Sequence, residues 1–275
     1  MAAAAALALI LAPAAAADSN QSSNWAGYAV HHAHVNFKKV LGTWTQPHAV
    51  CTPGQATYSS VWVGIGGYSV SSQALEQIGT EADCTTGGRE VSSAWYELVP
   101  SASHTIRIPV NAGDRVRASV SVSGSKVALT MTNLTRHHSF TKRLSASAID
   151  TTSAEWIVEA PSVCANSFCQ TLPLADFGST GFSAAGAQTT TGHTGTIDDR
   201  RWTTTKITLA EGGRQFIGGG ELGAAFATAT PSSLTAKASA FSVTYTGSAG
   251  NFSGLEAKQV SAARLVHGPA FSPGS

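Results

Sequence analysis

Along most of the chain, apolar and polar residues alternate over short runs. This two-residue period puts successive side chains on opposite faces of an extended strand. Runs of this kind, rich in β-branched residues, cover residues 61–65, 93–98, 104–110, 115–122, 126–133, 155–159, 206–209 and 241–245. Turn-forming links such as residues 111–114 and 123–125 separate them. Apolar residues at three- and four-residue spacing are scarce, so the pattern predicts strands without intervening helices. That combination predicts an all-β fold, an antiparallel β-sandwich of two large sheets of the concanavalin-like or jelly-roll type. No internal repeat and no long interior linker divides it, so one domain is expected over residues 18–247. Residues 248–275 form a tail of unclear order, in which 255–265 could make a short helix.

Composition narrows the class. Charged residues make up 12% of the chain, about half the usual share, and Ser, Thr, Ala and Gly fill the gap. The formal net charge of +1 gives no reason to expect a nucleic acid or an anionic membrane as partner. Residues 1–17 are an apolar Ala/Leu run ending in small residues before Asp18, the pattern of a signal peptide. The run is short and lacks a basic residue, as a start placed too far downstream would leave it. It falls below the roughly 20 apolar residues that span a bilayer. A secreted protein, not membrane-bound once the signal is removed, is therefore expected. Cys51, Cys84, Cys164 and Cys169 suit an oxidising compartment and allow three pairings. Cys51–Cys84 with Cys164–Cys169 is favoured, because each pair encloses a loop-like stretch without crossing the other. The absence of a CxxC and of convergent histidines argues against zinc.

Strand parity then sorts the polar groups. In residues 93–98, Trp95 and Glu97 share one face, with Tyr96 and Leu98 on the other. In residues 155–159, Glu155 and Glu159 fall together, opposite Trp156 and Val158. In residues 75–79, Leu75, Gln77 and Gly79 align. Each strand thus offers a core side and a side with an amide, carboxylate or indole. Parity alone leaves such carboxylates as ordinary solvated residues. Glu155 and Glu159 would stand about 13–14 Å apart along a strand, too far for a glycosidase pair. No Gly-x-Ser-x-Gly elbow and no paired Asp-Thr/Ser-Gly motif is present. His31-His32-Ala33-His34 could bind a metal, but no HExxH accompanies it and an exposed hairpin fits it better.

Several motifs then occur in order: Ser23-Asn24-Trp25-Ala26-Gly27, Gly42-Thr43-Trp44-Thr45-Gln46-Pro47, and Val61-Trp62-Val63-Gly64-Ile65-Gly66-Gly67. Leu75-Glu76-Gln77-Ile78-Gly79, Ala94-Trp95-Tyr96-Glu97 and Ala154-Glu155-Trp156-Ile157-Val158-Glu159 follow. In this order the chain resembles the glutamic peptidases, the eqolisins of peptidase family G1, formerly A4. The resemblance implies a sandwich with a polypeptide substrate lying across a concave face. It implies catalytic roles for Gln77 and Glu159 and substrate contacts from Trp62, Trp95 and Glu97. Trp25 and Trp44 lie in matched motifs but are expected to pack in the core.

On that reading a carboxylate on Glu159 takes a proton from the attacking water and passes it to the leaving nitrogen. The Gln77 amide holds the water and donates to the developing oxyanion. No metal, no cofactor and no covalent intermediate is implied, and a pepstatin-insensitive monomer is expected. Fungal members often carry Asp where this chain has Gly66 and Ser93. With only 16 Asp and Glu, against 17 Lys and Arg and nine His, an optimum of roughly pH 3–5 is expected from carboxylate titration. The alternative is a non-catalytic β-sandwich module that binds peptide or carbohydrate. Retention of both Gln77 and Glu159 favours the enzyme.

Overall fold

In the computed structural model, every regular element among the described residues is a β-strand. The described residues are 18–69, 71–165, 168–210, 227–247 and 265–266. The expected signal peptide, the helical pattern at 255–264 and most of the tail lie outside them. In chain order the strands are β1 (Asp18–Ser22), β2 (Trp25–His31), β3 (Phe37–Thr45), β4 (Ser60–Gly66), β5 (Leu75–Cys84) and β6 (Glu90–Val99). There follow β7 (His104–Ile106), β8 (Arg115–Ser123), β9 (Lys126–Asn133), β10 (His138–Ser145), β11 (Ser153–Glu159), β12 (Ser162–Ala165) and β13 (Phe168–Thr171). The last are β14 (Ser179–Thr189), β15 (Thr194–Gly195), β16 (Thr203–Leu209), β17 (Thr228–Pro231), β18 (Phe241–Thr246) and β19 (Leu265–Val266). Seven of the eight expected runs fall wholly in strands. The run at 104–110 is cut short, because the Ile108 amide turns back to the Ile106 carbonyl and Pro109 brings no donor.

The sandwich is present, but its two layers are not separate sheets. One hydrogen-bonded path runs β10-β9-β8-β3-β14-β18-β17-β16-β2-β11-β4-β5-β6-β7 and doubles over on itself. β17 is the seam, pairing β18 on one side and β16 on the other. The fold-over lays β4 against β3 and β8, β5 against β8 and β9, and β11 against β3 and β14. Between the layers, Val61, Val63 and Ile65 of β4, Ile78 of β5 and Trp156 of β11 meet Val116, Val120, Leu129 and Met131. Two indoles also carry hydrogen bonds across the layers. Trp44 Nε1 donates to Thr80 Oγ1 at 2.9 Å, and Trp156 Nε1 donates to the Leu41 carbonyl at 2.8 Å. Each buried N–H thus has a partner, which avoids the cost of an orphaned donor.

β4 and β11 are buried along their whole length on both faces. A strand of this kind reads as a continuous apolar run, as Val61-Trp62-Val63-Gly64-Ile65 does. Its second face holds a smaller cluster of Trp25, Ala29, Trp62, Leu75, Trp95, Val99, Ile157 and Ile207. Trp25 therefore packs in this second cluster, and Trp44 in the main core.

The Cys51–Cys84 disulfide is formed, with Cα atoms 5.3 Å apart. It ties the approach to β4 to the end of β5. Cys164 and Cys169 face each other in the β12–β13 register, and their side chains lie outside the described residues. The Cys51–Cys84 bond closes a sequence separation of 33, which constrains the unfolded chain by about 3–4 kcal/mol. A Cys51→Ser/Cys84→Ser double variant should melt roughly 6–15 °C lower by calorimetry.

Candidate active site

Register across the second face sorts its side chains into rows. One row reads Thr205, Ala29, Glu155, Gly64, Gln77, Glu97 on β16, β2, β11, β4, β5 and β6. The next reads Ile207, Gly27, Ile157, Trp62, Gly79, Trp95, and the one beyond holds Trp25, Glu159, Ser60, Glu81 and Ser93. Gln77 and Glu155 are thus two strands apart in one row, about 10 Å between Cα atoms. Only a glycine stands between them.

The glycines are dictated by the aromatic groups around them. A Cβ at Gly64 would lie 2.9 Å from both Leu75 Cδ1 and Trp62 Cζ3. At Gly79 it would lie 2.6 Å from Trp62 Cβ and 3.0 Å from Trp95 Cζ2. The two tryptophans close over this bare strip of backbone, and Trp25 meets Trp62 edge-on at 5.0 Å and 77°. Hydrogen bonds fix the polar groups. Gln77 Nε2 donates to Glu97 Oε2 at 2.8 Å, so Glu97 sets which way the amide faces. Trp62 Nε1 donates to Glu159 Oε2 at 2.7 Å.

Gln77 and Glu159 stand in different rows of this face, and the Glu159 carboxylate accepts from the Trp62 indole. Glu155 and Glu97 share a row with Gln77. Parity in the sequence groups Glu155 with Glu159 and cannot separate them; only cross-strand register does. Glu97 sits beside Gln77, while Trp62 and Trp95 flank the row.

Burial governs the carboxyls here. It raises the pKa of Glu155 well above the ordinary range; the nearby Ser153 hydroxyl pulls the other way, and the charges of Asp150 and Glu76 add to the rise. Ser153 favours the ionised form without meeting ordinary hydrogen-bond geometry to Glu155. Glu76, on the opposite face of β5, is pushed up to about 9 by burial and by Asp150, against its own backbone amide. Asp83 is raised by burial and by Glu81, against the Ser59 amide.

The comparisons with known proteins bear on this arrangement. The peptidase A4 family profile matches residues 23–215. The chain belongs to the peptidase A4 family. Its fold is shared with scytalido-glutamic peptidase, solved with a transition-state analog inhibitor, at 24% identity and a TM-score of 0.65, covering 81% of this chain and 98% of that one. It is shared too with SCP-B, an eqolisin solved with the tripeptide Ala-Ile-His, at 22% identity and a TM-score of 0.61 over the same shares. Aspergilloglutamic peptidase from Aspergillus niger matches at 27% identity and a TM-score of 0.53, covering 69% of this chain and 99% of that one. No curated protein sequence matches.

Two positions at which this A4 peptidase departs from the fungal pattern have local causes. Gly66 has φ +88°, and a Cβ there would lie 2.6 Å from the Asp150 carbonyl and 2.8 Å from Asp150 Cβ, so an Asp does not fit. Ser93 instead donates a short hydrogen bond to Glu81, which supplies the carboxylate at that point.

The raised carboxyls predict how stability follows pH. Each holds its proton in the folded state at a pH where the unfolded chain has released it, so folding is favoured at low pH and loses stability as pH rises. For Glu76 the loss runs from about pH 4.5 to about 9. Asp114 and Asp199 shift downward and act in the opposite sense, with stability lost only as pH falls through their lower range. The melting temperature should therefore be higher at pH 4–5 than at pH 7–8, and Glu76→Gln should flatten that dependence in a calorimetric pH series.

Proposed function

We propose that the chain is a secreted acid endopeptidase in which Gln77 and Glu159 activate one water molecule against the peptide bond. The observation that carries this reading is that Gln77, Glu97, Trp62, Trp95 and Glu159 share one sheet face, with Gln77 Nε2 donating to Glu97 and Trp62 Nε1 donating to Glu159.

As water attacks the substrate carbonyl carbon, the Glu159 carboxylate takes one of its protons. The product is a tetrahedral oxyanion, and Glu159 is now a carboxylic acid. In the second step Glu159 passes that proton to the leaving nitrogen and is again a carboxylate. The C–N bond breaks as the oxyanion collapses, giving acid and amine. An amide nitrogen carries two protons; Gln77 commits one to Glu97, and the other meets the oxygen on which charge develops. Because an amide does not titrate, that donor persists at any pH.

Trp62 and Trp95 border Gln77 on the same face, and the Trp62 indole donates to the Glu159 carboxylate.

Hydrolysis of denatured casein from pH 2 to 7 tests the assignment, with pepstatin and EDTA as controls. Wild type should cleave in acid in the presence of either inhibitor. Gln77→Ala should lose about 10²–10³ in rate, the usual cost of one oxyanion donor. Glu159→Gln should lose on the order of 10³–10⁴, the upper range for acid–base catalysis. Glu155→Gln should stay within about tenfold of wild type. An active Glu159→Gln beside a dead Glu155→Gln would move the role to Glu155. A folded wild type that cleaves nothing would leave a binding module.

A further inference from the structure

A cavity of about 440 Å³ opens at one end of the Glu155 row, lined by His31, His32, His34, Tyr68, Ser69 and Ser153 among others. It falls in the size range of small-molecule sites. His31 and Ser153 are register partners one row beyond Ala29 and Glu155, so the cavity floor adjoins the row that holds Gln77. The wall is built. The His31 ring stacks on Tyr68 at 4.4 Å and 19°, and His31 Nε2 and Tyr68 Oη both reach Thr205 Oγ1, at 2.9 and 3.3 Å. The chain then reverses at His34, whose φ is +64°, with the Val35 amide bonded to the His32 carbonyl. That turn brings His32 and His34 to the same opening.

The chemistry of the lining is one-sided. It holds three imidazoles, hydroxyls and an amide, and no Lys, Arg, Asp or Glu. No group of three or more His, Cys, Asp or Glu among the described residues is placed to hold a metal ion. Imidazole is the lining type whose charge changes in mild acid, while hydroxyls and an amide stay neutral. The carboxyls nearest to it are turned away or neutral. Asp150 accepts from the Gly67 amide, Ser72 Oγ, the Thr152 amide and Thr152 Oγ1. Glu155 and Glu76 are pushed toward their protonated forms by burial.

We propose that this histidine-lined cavity is a subsite for a carboxylate of the substrate, on an aspartyl or glutamyl side chain or at the chain's C-terminus, held on the same sheet face as Gln77. The assignment rests on the peptidase reading for its purpose, though not for its ligand. It confers a substrate preference that sets in with acid, in the window where imidazoles are charged and carboxylates remain ionised, roughly pH 4.5–6.

Two measurements separate the subsite from the activity. In the first, N-acetyl-glutamate α-amide, its glutamine counterpart and N-acetylglycine are titrated into the protein, with the histidine ring signals followed by NMR. At pH 5 a carboxylate probe should shift the His32 and His34 signals, and at pH 8 it should not. The glutamine compound should leave them in place at both. A larger response to N-acetylglycine than to the glutamyl compound identifies the chain terminus as the ligand and still supports the subsite. In the second, kcat/KM is measured for C-terminally amidated peptides that differ by Glu against Gln. Wild type should favour Glu by about tenfold at pH 5, the scale of one charge-assisted hydrogen bond. His32→Gln/His34→Gln, on exposed turn positions, should bring the ratio near one, chiefly through KM. Equal shifts from the glutamine compound, or no shift at millimolar probe, would overturn the subsite. A folded protein that cleaves no peptide but shows the carboxylate-specific shifts would overturn the peptidase reading and leave the subsite standing.

Discussion

The pairing of β11, β4 and β5 is the constraint on which the rest of the structure depends. A one-residue slip would turn every side chain to the other face, moving Gln77 and Glu155 into the core and Ile78 and Trp156 out of it. The hydrophobic inner face makes that slip prohibitive: Val61, Val63, Ile65, Ile78, Trp156 and Val158 all face the opposing layer. The same packing that stabilises the sandwich therefore aligns an amide and a carboxyl across a glycine. Gly64 completes the constraint, since a larger residue would meet both Leu75 and Trp62.

Burial of both faces has an electrostatic consequence. A strand face that looks onto solvent leaves its carboxylates ionised; here Glu155 and Glu76 are fully buried and favour their neutral forms. Protonated carboxyls therefore suit the folded state. The orienting hydrogen bonds, from Gln77 to Glu97 and from Trp62 to Glu159, hold the surrounding groups by pairing each with a carboxylate oxygen.

Much of this was legible in the sequence. The two-residue period of residues 126–133 gives β9 to the residue, and parity places Trp95 with Glu97 and Gln77 with Gly79, as the structure has them. Other features depend on contacts that no local pattern carries. The joining of the two layers turns on β17, a strand of four residues with a single partner position to β16. The distinction between Glu155 and Glu159 turns on which residue of β4 each faces, Gly64 or Ser60. Both glutamates share a strand face, so period and parity treat them alike. The His31–His34 segment reads as an exposed hairpin, and it is one; its place beside the Glu155 row follows from the β2–β11 register and from Tyr68 reaching in from the β4–β5 connection.

The most direct test of the central claim is a crystal structure of this protein with a phosphinate peptide that imitates the tetrahedral intermediate. One phosphinate oxygen should lie within hydrogen-bond distance of Gln77 Nε2 and the other of the Glu159 carboxyl. Oxygens bound instead at Glu155, with Glu159 remote from both, would contradict the pairing of Gln77 with Glu159.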